Sequence, residues 1–189
     1  MKKLLAIVGS LLLLTGCNIK PYAQLSSHKE QIATDHPQFL SFEADGEMND
    51  IGVFQGESGS EIKIKYGGTY LVIFSPQVIT IDRAKSGCFD AWLVVGNSDV
   101  KDSGVRECFN ADHPGNLKHG MGMQGGMHGM PNKTSPTTDV LVGQLVIALN
   151  PGDKIKVAFT GHNTKTFSAP ASKMSPSIPA SIFSITRIS

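Results

Sequence analysis

Lys154-Ile155-Lys156-Val157-Ala158-Phe159 alternates so that Ile155, Val157 and Phe159 share one face of an extended chain while both lysines occupy the other. A period of two is the pattern of a strand with one buried and one wetted face. Just before it, Asn150-Pro151-Gly152-Asp153 separates this strand from the apolar run Val140 to Leu149. Pro presets φ there, Gly supplies a positive φ without steric cost, and Asp153 is read as the cap of a tight turn rather than as an acid. Glu61-Ile62-Lys63-Ile64-Lys65 repeats the alternation, and Gly67-Gly68 then turns the chain into Thr69-Tyr70-Leu71-Val72-Ile73-Phe74. Unbroken apolarity in that run predicts a strand near the centre of a sandwich or covered on both sides. Further strands are expected over Phe39 to Phe42, Gln77 to Ile81, Ala91 to Val95 and Ser181 to Ile188. Short β-branched and aromatic runs bounded by turn residues, with no convincing amphipathic helix, predict an all-β fold: a two-sheet antiparallel jelly-roll sandwich.

The N-terminus reads differently. Met1-Lys2-Lys3 is a positive leader, and Leu4 to Leu14 is an apolar run. At about 1.5 Å of helix rise per residue it is too short to cross a hydrocarbon core of about 30 Å. Leu14-Thr15-Gly16-Cys17 resembles the lipobox of bacterial lipoproteins. That resemblance implies removal of residues 1–16 as a signal peptide, lipidation of Cys17 and a place in the bacterial cell envelope, held to the membrane by the lipid. Asn18, where an aspartate would favour inner-membrane retention, points to the outer membrane. An ordinary secreted chain with Cys17 beside its cleavage site is the alternative. Residues 17–38 are polar and aperiodic and read as a flexible tether, which at about 3.3 Å per residue reaches up to roughly 70 Å. Residues 39–189 then form one domain.

Loss of Lys2 and Lys3 takes the formal charge from +1 to −1, with both signs interspersed along the remainder. No basic face suited to nucleic acid is legible. Cys88 and Cys108 remain as side-chain thiols, and an oxidising envelope compartment makes a disulfide their expected fate. Two unpaired buried cysteines are the alternative, and no C-x-x-C spacing suggests redox catalysis.

Several patterns, taken in order, resemble the jelly-roll superfamily of the tumour necrosis factors, the globular head of the first complement component and the C-terminal domains of bacterial collagen-like proteins. They are Gly68-Thr69-Tyr70-Leu71-Val72, Ala91-Trp92-Leu93-Val94-Val95-Gly96-Asn97, Leu145 through Ile155, and Ser181-Ile182-Phe183-Ser184-Ile185. The resemblance implies two facing antiparallel sheets and a homotrimer. Trp92, the only tryptophan, is expected in the core or the trimer interface. No Gly-x-y repeat supplies a collagen stalk, and no acidic cluster maps onto the calcium sites of some relatives.

The compositional outlier is His119-Gly120-Met121-Gly122-Met123-Gln124-Gly125-Gly126-Met127-His128-Gly129-Met130, inside a Gly/Met/His-rich loop expected at about 112–137. Thioether sulfur suits Cu(I), imidazole serves several transition metals, and glycine lets a loop fold around an ion. His113, His119, Met121, Met123, Met127, His128 and Met130 are therefore the candidate metal ligands, with copper the metal they suit. A plain insertion, or an adaptable Met-rich surface for a partner, explains the same composition. His28, His36 and His162 are isolated and receive no role. No G-x-S-x-G, H-E-x-x-H or phosphate loop occurs, so no enzyme is expected. The leading expectation is a lipid-anchored recognition or adhesion module for a protein or glycan ligand; metal handling through the Met/His tract is the alternative.

Overall fold

The computed structural model describes residues 20–43, 48–49, 51–56, 59–111, 138–171 and 176–189. The first half of the chain contributes β1 (Tyr22–Ser27), β2 (Gln38–Phe39), β3 (Met48–Asn49), β4 (Ile51–Gly56), β5 (Gly59–Ile64), β6 (Gly68–Thr80) and β7 (Gly87–Val95). The second half contributes β8 (Ser98–Asp99), β9 (Val105–Phe109), β10 (Thr138–Val140), β11 (Gly143–Leu149), β12 (Lys154–His162), β13 (Thr164–Thr166) and β14 (Ser181–Arg187). All pairings are antiparallel. Among the described residues the fold is all-β, in two sheets.

In sheet one the order is β3-β1-β14-β6, with β10 and β11 also on β6. In sheet two it is β4-β5-β12-β7, with β8 and β9 on β7 and β2 on β12. The long strands pair as nested couples, first with last: β1 with β14, β5 with β12, β6 with β11 and β7 with β9. This nesting is the jelly roll. It joins strands far apart in the chain, β1 with β14, β5 with β12 and β6 with β11, while β4–β5, β7–β8 and β7–β9 pair locally, so the core closes only when both ends of the chain are in place.

The Lys154–Phe159 alternation falls in β12 as expected, with Ile155, Val157 and Phe159 all 0% exposed. Across the interior, Tyr70, Val72 and Phe74 of β6 meet Phe89 and Leu93 of β7 in one buried cluster. Phe89 stacks on Phe159 at 5.4 Å between ring centroids, and Phe42 meets Phe183 at 5.5 Å. Each such side chain contributes about 1.5–3 kcal/mol of burial. The Asn150–Asp153 turn has the expected geometry. Gly152 takes φ +91°, Asp153 N–H donates to Asn150 O at 3.1 Å, and Asn150 N–H donates to the Asp153 carboxylate at 2.7 Å. Asp153 is thus a turn cap.

Expected strands at Thr69 to Phe74 and Gln77 to Ile81 are one strand, β6, running through Pro76. Pro76 stands where β6 exchanges its partner β14 for β13, a place where a missing ladder donor is tolerated. On the opposite edge β10 passes into β11 in unbroken register, with Leu141 N–H donating to Pro76 O at 3.1 Å. The Phe74 ring covers Gly143 opposite it; a Cβ there would lie 2.1 Å from the ring. β12 leaves sheet two for sheet one at Asn163, whose φ is +53°. Its side-chain amide accepts from Asp82 N–H and donates to the carbonyls of Asp82, Lys85 and Ser86, which fixes the crossing.

The reading of residues 17–38 as a flexible tether is corrected from residue 20 onward. β1 lies between β14 and β3, with Ala23, Leu25 and Ser27 buried. Beyond it, Ala33 N–H donates to Thr164 O at 3.0 Å, and Gln31 Nε2 donates to Phe39 O at 3.2 Å. The domain therefore begins well before residue 39. Its first strand carries small inward residues, so it lacks the apolar weight by which strands are recognised.

Tyr70 supplies a stability test. Its hydroxyl donates to Tyr66 O at 2.6 Å, and burial raises the phenol above its ordinary value, partly offset by Arg187. A raised phenol leaves stability intact below about pH 10, where the unfolded chain begins to ionise, and loses it as pH rises further. Tyr70→Phe is expected to remove that part of the alkaline loss while costing about 1 kcal/mol at neutral pH, measured by urea denaturation at both pH values.

Candidate interaction surfaces

The two sheets present outer faces of opposite character. On sheet two, β7 and β12 turn charged and aromatic side chains outward: Arg106 pairs with Asp90 at 2.5 Å and Lys154 with Glu61 at 2.7 Å. The Lys156 ammonium lies 4.5 Å from the centroid of the Phe39 ring. Trp92 belongs to this face and not to the core, which corrects the core half of the expectation. Phe89, Ala91 and Leu93 are the fully buried members of β7, so Trp92 points outward, half-buried, with its indole N–H donating to Asp99 at 2.7 Å. Beside it, a shallow cleft is lined by Asp90, Trp92, Gly104 and Arg106. The edge strand breaks there, and Ser103 repairs the ladder: its hydroxyl accepts from Leu93 N–H at 3.0 Å and donates to Val100 O at 2.7 Å.

Sheet one is different. Register places Val146, Leu71, Thr186 and Tyr22 in one outward row across β11, β6, β14 and β1, and Gln144, Ile73, Ser184 and Gln24 in the next. Ser75, Ile182 and Ser26 follow in a third. No side chain in these rows is charged. Val146 is 57% exposed and Ile182 37%, and beside the rows Val140 and Val142 stand open at 52% and 57%. The face thus mixes outward aliphatic side chains with uncharged polar ones. It follows from the unbroken apolarity of Thr69 to Phe74: β6 is central, but among the described residues only one of its faces is covered.

Cys88 and Cys108 form a disulfide between directly opposite residues of β7 and β9. It lies on the outer side of sheet two, Cys108 exposed and Cys88 half-buried. His162 pairs with Cys88 across the other edge of β7; His28, His36 and His162 are all exposed.

Cys17 lies outside the described residues, and so do His113, His119, Met121, Met123, Met127, His128 and Met130. What is described is the pair of strands that flank the tract. Phe109 and Asn110 on one side and Asp139 on the other border a cleft of about 260 Å³, together with Thr80, Arg83, Glu107 and Cys108. Among the described residues, no group of three or more His, Cys, Asp or Glu is placed to hold a metal ion. No described helix is long and apolar enough to cross a membrane. No protein family model and no curated protein matches the chain.

The disulfide closes a sequence separation of 20 residues. Replacing both cysteines with alanine is expected to cost about 3 kcal/mol, read as a lowered urea midpoint with a steeper slope, since the unfolded chain without the cross-link exposes more surface. The exposed site leaves little cavity penalty to add.

Proposed function

We propose that this protein is a non-enzymatic, lipid-anchored recognition module of the bacterial envelope that works as a homotrimer, joined through the outer face of sheet one. The single observation carrying the proposal is that face: three adjacent rows without a charge, with Leu71, Ile73, Val146 and Ile182 turned outward. Burying it against further copies gives β6 the second apolar cover that its sequence requires. Two facing antiparallel sheets are also what the resemblance to the tumour necrosis factor-like superfamily implies, and the trimer is that family's usual association. Fold alone does not fix function. The lipobox supplies the anchor, and the charged face of sheet two remains available to a protein or glycan ligand.

A membrane-held oligomer gains avidity, because several weak contacts act together. Several acyl chains per assembly also make the attachment stable. In the Cys17→Ser chain, sedimentation is expected to give three times the mass of one chain. Ile73→Lys with Val146→Lys, two outward substitutions that leave the core intact, is expected to give a monomer. A wild-type monomer contradicts the proposal.

The second reading is copper handling, favoured by a composition in which four of the chain's seven methionines fall within residues 121–130. Soft thioether sulfur would bind Cu(I) there, with His113, His119 and His128 adding imidazole. A Cu(I) competition titration is expected to show loss of binding when Met121, Met123, Met127 and Met130 are changed together to Leu. Equal binding by both proteins rules that reading out.

A further inference from the structure

Resting on lipidation at Cys17, we infer that one particular end of the sandwich lies against the bilayer surface: the end carrying Lys20, Lys65, Tyr66, Arg187 and Ile188.

The covalent chain sets the limit first. Only Asn18, Ile19, Lys20 and Pro21 separate Cys17 from β1. A fully extended chain at about 3.6 Å per residue bridges at most roughly 18 Å from Cys17 to Tyr22. The entry point is also pinned. Arg187 N–H donates to Pro21 O at 2.9 Å, and the Lys20 ammonium donates to Ile188 O at 2.7 Å. Thr69 N–H donates to Ser189 O at 2.9 Å, so the last residues of the chain are tied to the start of β6. The neighbouring turns belong to the same end, since Gly152 N–H donates to Ile64 O at 2.8 Å and Gly96 N–H to Lys154 O at 2.7 Å.

The chemistry of that end fits an interface of lipid headgroups. Tyr66 is 41% exposed and Ile188 42%, and the Lys65 ammonium lies 4.9 Å from the Tyr66 ring centroid. Aromatic and aliphatic groups flanked by lysine and arginine suit the boundary between acyl chains and phosphates, because long basic side chains extend their charge into the polar layer. Among the described residues, Glu61 is engaged by Lys154 and Asp153 by the backbone of Asn150, while Arg187 Nε donates to Ser189 O at 3.1 Å. The occupant of this surface is the bilayer that takes the acyl chains of Cys17, since the short link brings this end of the domain to it. β6 spans 13 residues, about 40 Å at 3.3 Å per residue, so Thr80, Ile81 and the strand ends at Phe109 and Thr138 stand far from the membrane.

The test uses the full lipidated chain in vesicles of anionic phospholipid brominated high on the acyl chain, with Trp92→Phe as background. One variant adds Tyr66→Trp and the other Ile81→Trp, both at exposed positions. Flotation with the vesicles reads the anchor, and tryptophan emission reads the orientation. The expected result is flotation of both, with emission lost from Tyr66→Trp and retained by Ile81→Trp. Flotation with Ile81→Trp quenched, or with neither quenched, overturns the orientation alone. Failure to float overturns the lipidation and the inference with it.

Discussion

β6 is the strand on which sheet one depends. Its edges hold β14 and β11 along one half and β13 and β10 along the other, so four strands from Thr138 onward pair with this one element. Tyr70, Val72 and Phe74 face the interior, where the rings of sheet two meet them. Leu71 and Ile73 face away, in rows without charge. The same run of apolar residues that makes the core thus produces an outer face that water does not favour. Fold and proposed association surface have one origin.

The sequence carries much of this where side chains are large and alternate cleanly. Lys154 to Phe159, Glu61 to Lys65 and the Asn150–Asp153 turn are read directly, because lysine against isoleucine or valine leaves no doubt about which face is wet. Strands built from small or polar residues escape such a reading. β1 buries Ala23 and Ser27 beside the single large Leu25, and β13 is Thr-Lys-Thr, its threonines buried and hydrogen-bonded. β9 carries Arg106, Glu107 and Cys108 on an edge and has no apolar period. Trp92 shows a subtler limit. Both faces of β7 carry apolar residues, so hydrophobicity could not assign the face; Asp90, two positions earlier, was the available signal that this parity points outward.

The candidate site was legible only as composition. Cys88 and Cys108 are the one pair whose chemistry follows from the sequence and whose geometry the structure supplies. The uncharged face could not be found from sequence, because its rows combine residues from four separate strands, and register alone brings Tyr22 beside Thr186 or Val146 beside Leu71. The shortened link between Cys17 and β1 changes the mechanics as well. Instead of a domain ranging widely above a bilayer, the proposal describes one held close to it, with sheet one committed to its own copies and sheet two turned to the surroundings.

The account's central claim is that the outer face of sheet one is buried between copies of this chain. Hydroxyl-radical footprinting of the unlipidated mature protein, followed by mass spectrometry over a concentration series, addresses it residue by residue. The claim predicts that Leu71, Ile73, Val146 and Ile182 become protected together as the protein associates, while Trp92 and Tyr66 keep their reactivity. Unchanged reactivity of those four residues at every concentration, or protection that appears on sheet two instead, contradicts it.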